Sequence, residues 1–197
     1  IKQMVFENKP ESVEDFFAGY NPLVEEIAEY ENTISAARSG KTEDRLAAIN
    51  RLFEKTDPQL RYLLADFCSD YIKLDKKNST GMVGSYVVAL ANSNAVQHYL
   101  DQDPLAASEE FATAAKSKFL EPEQKQQCFY TAAYLFASSG TDDAVKVKDY
   151  LQRAYDVAPD SEYAESILSM MRMMEEKYGE SAEPPADAPE AKDSAEN

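Results

Sequence analysis

Side chains able to carry acid–base, nucleophilic or metal chemistry are sparse in this sequence, and their spacing brings few of them together. The single histidine, His98, stands beside Tyr99 with no acid at a spacing that orients a catalytic imidazole, so it reads as a packed or surface residue. Cys68 and Cys128 each sit next to a phenylalanine within an apolar stripe, where a free thiol behaves as a small hydrophobe. Two unpaired buried thiols are expected, although an even count permits one disulfide. With one histidine and two cysteines, a zinc site of several Cys and His ligands cannot be assembled within the chain. The motifs HExxH, GxSxG, GxxxxGK[ST] and CxxC are all missing.

Gly81-Met82-Val83-Gly84-Ser85 lacks both the lysine and the preceding strand of a phosphate loop and reads as a loop leading into a helix. Asp101, Asp103, Glu109 and Glu110, like Asp142 and Asp143, lack the alternating ligands, central glycine and terminal glutamate of a calcium loop; acids near helix starts are favoured there by the helix dipole alone. Paired carboxylates for sugar hydrolysis need only meet in space, and with 36 acids no chosen pair is informative. Met170, Met173 and Met174 share one side of a helix at three- and four-residue spacing, which suits packing against the core, an adaptable partner surface, or copper held by soft sulfur. The expectation is no catalytic residue, no cofactor and no metal site.

The elements that must position these residues read as helices throughout. Pro22 opens a helix through Leu23, Ile27, Tyr30 and Ile34, which Gly40 ends. Thr42 precedes a second stripe, Arg45 to Phe53, and Asp57-Pro58 caps a third through Leu60, Leu63, Leu64, Phe67, Cys68 and Tyr71. Residues 86–90, Tyr-Val-Val-Ala-Leu, have some strand character, but a lone strand would have no sheet partner, so helix is expected there. Asn94 is placed to cap a separate short segment, residues 95–100. Asp103-Pro104 and Glu121-Pro122 start two more helices, Thr141 or Asp142 caps another, and Asp160 or Ser161 caps the last. From residue 180 onward the chain carries three prolines and six acids against one lysine, with no aromatic or β-branched residue, and is expected to be disordered.

The chain of 197 residues is 44% hydrophobic, enough for one sizeable core, so residues 1–179 are expected to form a single all-helical domain. Its formal charge of -16 repels phosphate backbones and anionic membranes, which argues against nucleic acid as a partner. No apolar run is long enough to span a bilayer, and the start has no apolar signal core. A first residue Ile1 is what removal of a leader would leave, as would simple trimming of the chain, and the sequon Asn78-Ser79-Thr80 matters only in a glycosylating compartment.

A pattern appears between residues 129 and 159, FYTAAYLFASSGTDDAVKVKDYLQRAYDVAP. Phe129, Ala132, Ala133 and Phe136 alternate large and small residues on one helix, Val147, Leu151 and Ala154 line the next, and Pro159 closes the pair. The short alanines let a second helix approach while the aromatics fill the space beside it. This resembles a tetratricopeptide repeat, with an aromatic in place of tryptophan and a slightly longer turn. An echo lies in Ala107, Phe111 and Ala114, so the resemblance covers mainly residues 105–178 and is lost before residue 100.

The resemblance implies an all-α fold of antiparallel hairpins stacked as a short right-handed superhelix, and a non-catalytic adaptor that holds a peptide or protein segment in a concave groove. Gln127, Tyr130, Tyr134 and Ser138, on the face opposite Phe129 and Ala133, are then the candidate groove residues, the tyrosines being suited to contact hot spots. Acidity favours a basic or neutral protein partner. A bacterial envelope or secreted setting is compatible with this reading. The alternatives are an enzyme or small-molecule binder with a pocket between helices, and an accessory domain of a larger envelope assembly.

Overall fold

The computed structural model describes residues 13–140 and 143–179. Among these residues there are eight α-helices and no strand: α1 (Val13–Arg38), α2 (Thr42–Lys55), α3 (Ala65–Leu74), α4 (Val83–Leu100), α5 (Pro104–Ala114), α6 (Pro122–Ser138), α7 (Ala144–Val157) and α8 (Ala164–Gly179). A 3-10 helix, Pro58–Leu64, precedes α3. The all-α fold expected from the periodicity is therefore present. The chain divides into two compact units, with the boundary between Ser93 and Asn94 inside α4. The acidic segment 180–197 and the candidate caps Thr141 and Asp142 lie outside the described residues.

In the first unit α1 and α2 run antiparallel. Glu29 of α1 pairs with Arg51 and Lys55 near the end of α2, while the carbonyl of Ala37 accepts from Arg45 near its start. Gly40, at φ 121°, makes the turn that a side chain would strain. Pro22 does not open α1, as expected, but sits inside it. A proline costs an interior helix one hydrogen bond, and here the helix continues on both sides of that loss.

The Asp57-Pro58 start is used as expected: the Asp57 carboxylate accepts from the Gln59 amide at 2.8 Å. The first turns are 3-10, however, not α. Three residues per turn place Leu60 and Leu63 in one row, and that row faces water, whereas Leu64, Cys68 and Tyr71 are buried. The core of this unit is aromatic: the Tyr71 and Tyr86 rings stack at 3.9 Å and Phe53 meets Tyr86 edge-on at 5.4 Å. Both hydroxyls are satisfied, Tyr86 donating to Asn50 Oδ1 at 2.6 Å and Tyr71 to Thr80 Oγ1 at 3.0 Å.

The turn from α3 to α4 is built on Asp75, buried at 5% exposure, which accepts from the amides of Ser79 and Thr80 at 2.7 and 2.9 Å and from the Thr80 hydroxyl at 2.7 Å. Burial opposes the charge, yet the Thr80 and Ser79 hydrogen bonds outweigh it and hold the carboxyl below its usual range. Helix α4 covers residues 86–90, as expected, but it also runs straight through Asn94. The reason is tertiary: the Asn94 amide donates to Glu110 Oε2 at 3.0 Å instead of capping a new helix.

The second unit adds α5 to α8 in sequence. Asp103 caps α5 by accepting from the Ala106 amide, Glu121 and Gln124 form a capping box at the start of α6, and Asp143 caps α7 by accepting from Lys146. Ser161 is the acceptor at the start of the last turn before α8, bonding the Tyr163 amide at 3.2 Å. Leu151 and Ile167 are fully buried, each worth about 1.5 to 3 kcal/mol relative to exposure. On α8 the methionines part company: Met174 is buried, Met170 and Met171 are half-buried, and Met173 is exposed.

Candidate functional site

Helix α6 has two distinct faces. One carries Gln126, Cys128, Phe129, Ala132, Ala133 and Phe136, all buried. Ala132 and Ala133 have no exposure at all, and next to them the buried Ser108 hydroxyl of α5 donates to the carbonyl of Ala132 at 2.8 Å. A side chain as short as serine can reach the backbone of the neighbouring helix only where the two helices come close, which is what the alanines permit.

Helix α7 packs on α6 in the opposite sense. Phe136, late in α6, meets Tyr150 edge-on at 6.2 Å, while Gln126, early in α6, reaches the far end of α7. Gln126 is fully buried, and its amide donates to the carbonyls of Ala154 at 3.0 Å and Ala158 at 2.7 Å while its carbonyl accepts from Ser161. Sequence reasoning passed over Gln126. The signal was there: it stands on the same 126, 129, 133, 136 row as the buried aromatics and alanine, and a polar residue in such a row must find partners.

Helices α5 and α7 also meet each other over the Phe136 ring. Glu109 of α5 pairs with Lys146 of α7 and accepts from the Tyr150 hydroxyl at 3.2 Å, with the Lys146 ammonium 4.8 Å from the centre of the Phe136 ring. The bond to Lys146 lowers the Glu109 carboxyl below its usual range, and the same bond raises Lys146. Burial, followed by the Glu109 charge, raises the Tyr150 phenol. The lysine is therefore kept protonated, without the lone pair a nucleophile needs. Burial likewise pushes the thiol of Cys68 up to about 12 and that of Cys128 to about 11, so both stay protonated near neutral pH. Both thiols are unpaired and buried, as expected.

The other face of α6 holds the groove residues expected from the sequence. Gln127, Tyr134 and Ser138 are exposed, Tyr134 at 57%, and Tyr130 is half-buried at the edge of the face. Gln127, Tyr134 and Ser138 thus lie on the side away from Phe129 and Ala133, and Tyr130 lies at its border with the buried face. The Ser138 hydroxyl is turned back to the carbonyl of Tyr134 at 2.8 Å, so it is less available to a partner than the tyrosines. Between the start of α6 and the end of α7 lies a depression of about 400 Å3, lined by Glu121, Glu123, Val157, Pro159 and Asp160 among others and by none of these four residues.

His98 does meet an acid, contrary to the expectation from spacing. Glu110 of α5 brings Oε1 to 3.4 Å from His98 Nε2, and the same carboxylate accepts from Asn94. The pair joins residues on two helices, so spacing along either one does not reveal it. Among the described residues no three His, Cys, Asp or Glu side chains come together as a metal site, and no helix is long and apolar enough to cross a membrane.

Residues 82–180, half of the chain, match the family model described as "Uncharacterised protein C-terminal domain". An uncharacterized protein of Treponema pallidum (strain Nichols) is 32% identical over 77 residues, which is 38% of this chain and 26% of that protein. The chain thus aligns with about a quarter of the length of the curated relative it matches. No solved structure matches.

Proposed function

The chain belongs to the family whose description its residues 82–180 match, and we propose that in it residues 105–178 form a tetratricopeptide-like, non-catalytic adaptor that holds a peptide or protein segment. The observation that carries this reading is the asymmetry of α6. Glu109, Lys146 and Tyr150 join α5 and α7 across Phe136, so both neighbours occupy one side of α6. The opposite side presents Gln127, Tyr130, Tyr134 and Ser138. A hairpin repeat needs this division, with small residues seating neighbours on one face and a free face turned to the groove.

The chemistry of the free face suits contact and not catalysis. Tyrosine offers a large rigid ring and a hydroxyl at low entropic cost, which favours binding hot spots. The chain carries a formal charge of -16, and the depression between α6 and α7 is walled by three acids and no base, so a basic or neutral segment is the partner that suits this chain. An envelope setting belongs to the same proposal. The test is a pull-down comparing the native chain with Tyr130→Ala plus Tyr134→Ala. Partner recovery should fall in a double variant that keeps its helical circular dichroism; undiminished recovery removes the proposed groove.

A further inference from the structure

We propose that one end of the second unit, where α4 stops and α5 and α7 start, docks a peptide segment with apolar anchors and basic flanks. Four large apolar side chains stand exposed there: Tyr99 at 66%, Leu100 at 62%, Leu105 at 43% and Val145 at 79%. At the opposite end, in the turns over residues 115–121 and 158–163, no large apolar side chain is exposed among the described residues. Single apolar residues scattered on a surface are ordinary, whereas several gathered at one end mark a contact site.

Local bonds hold these side chains at one end. The chain reverses between α4 and α5 through two backbone bonds, from the Asp103 amide to the His98 carbonyl at 2.8 Å and from the Gln102 amide to the Tyr99 carbonyl at 3.1 Å. A helix stop of this kind favours glycine in its left-handed position, yet Gln102 occupies it at φ 62°. Leu105 stands one turn before Glu109 on the same side of α5, and Glu109 pairs with Lys146, the residue after Val145. That pair brings the starts of α5 and α7 together, and with them Leu105 and Val145. None of the four apolar residues belongs to the tyrosine face of α6, so this surface stands apart from the proposed groove.

Charge selects the occupant. Between Lys77 and Lys116 the sequence has four acids, Asp101, Asp103, Glu109 and Glu110, and no lysine or arginine. Asp101 and Asp103 flank Gln102 at the tip itself, and Asp143 caps α7 at the same end. Of the bases near Val145, Lys146 is paired with Glu109, and the remaining charges there are Lys148 against Asp101, Asp103 and Asp143. A second copy of this end, or an anionic membrane, would meet like charge, whereas a segment with basic flanks would meet its complement.

The experiment uses the full chain and a fluorescent leucine–lysine peptide of about 14 residues, roughly four helical turns with one apolar face, alongside a leucine–glutamate counterpart. The chain should bind the lysine peptide and not the glutamate one. Leu100→Gln plus Leu105→Gln, at exposed positions, keeps the net charge and should weaken binding about tenfold, because the anchors lose apolar area to bury. Val145→Gln, on the other helix, should weaken it about threefold by the same cause. Tyr130→Ala plus Tyr134→Ala should bind the peptide as the native chain does, which separates this surface from the face of α6. Binding that both glutamine variants leave untouched would mean attraction to net charge alone and would overturn the proposal. So would the absence of binding, equal weakening by the tyrosine pair, or a concentration-dependent dimer that the leucine substitutions abolish.

Discussion

Replacing Gln126 with leucine removes hydrogen bonds while keeping most of the volume, so it isolates what the buried amide contributes. Gln126 makes three bonds, to the carbonyls of Ala154 and Ala158 and with the Ser161 hydroxyl, and it is fully buried. A buried hydrogen bond nets about 1 kcal/mol, and polar groups left unpaired add to the loss. The leucine recovers some of this by burying apolar surface. The balance is a destabilisation of about 2 to 3 kcal/mol, or a fall in Tm of about 5 to 10 °C for a chain of this size. Urea unfolding followed by far-UV circular dichroism measures it. Ser161→Ala should cost about 1 kcal/mol, and the double variant should fall short of the sum because the two share a bond. A Gln126→Leu chain within about 0.5 kcal/mol of the native one would show that the amide does not hold the end of α7.

Ala133→Leu should destabilise by about 1 to 3 kcal/mol by overpacking a fully buried position, measured in the same urea experiment; a neutral result would place Ala133 at an open surface. Asp75→Asn should cost about 1 to 2 kcal/mol at neutral pH. Because folding depresses the Asp75 pKa, its contribution is fully present above its unfolded value near pH 4, within about a unit, and fades as the pH falls below it. The gap between native and variant urea midpoints should therefore narrow in acid; a gap that widens there reverses the sign of the argument. Alkylation of Cys68 and Cys128 at about pH 8 should be far slower in the folded chain than in urea, because burial raises both thiols and hides them. Rapid labelling of either without unfolding would contradict its burial.

What the sequence disclosed follows from which interactions are local. The caps at Asp57, Asp103 and Glu121 join residues two or three positions apart, so a cap followed by proline located each helix start. The buried face of α6 was legible for the same reason, since 3.6-residue periodicity sorts Phe129 and Ala133 from Tyr134 without knowing what covers them. The errors lie where distant groups decide. Asn94 continues α4 because Glu110, sixteen residues on, takes its amide, and His98 has a carboxylate partner for the same reason. Pro22 was misplaced because the penalty of one missing hydrogen bond was read as a boundary. Leu60 and Leu63 face water because the local helix is 3-10, a choice the apolar spacing does not encode. Gln126, polar within an apolar row, was the clearest feature left unread.

Hydroxyl-radical footprinting of the free chain and of its complex with a captured partner tests the two-faced helix most directly. In the free chain Tyr134 should oxidise quickly while Phe129 and Phe136, on the same helix, stay protected. In the complex Tyr134 and Tyr130 should lose reactivity while Tyr99, exposed on α4, keeps its own. Tyr134 protected in the free chain, or equally reactive with and without the partner, would contradict the account.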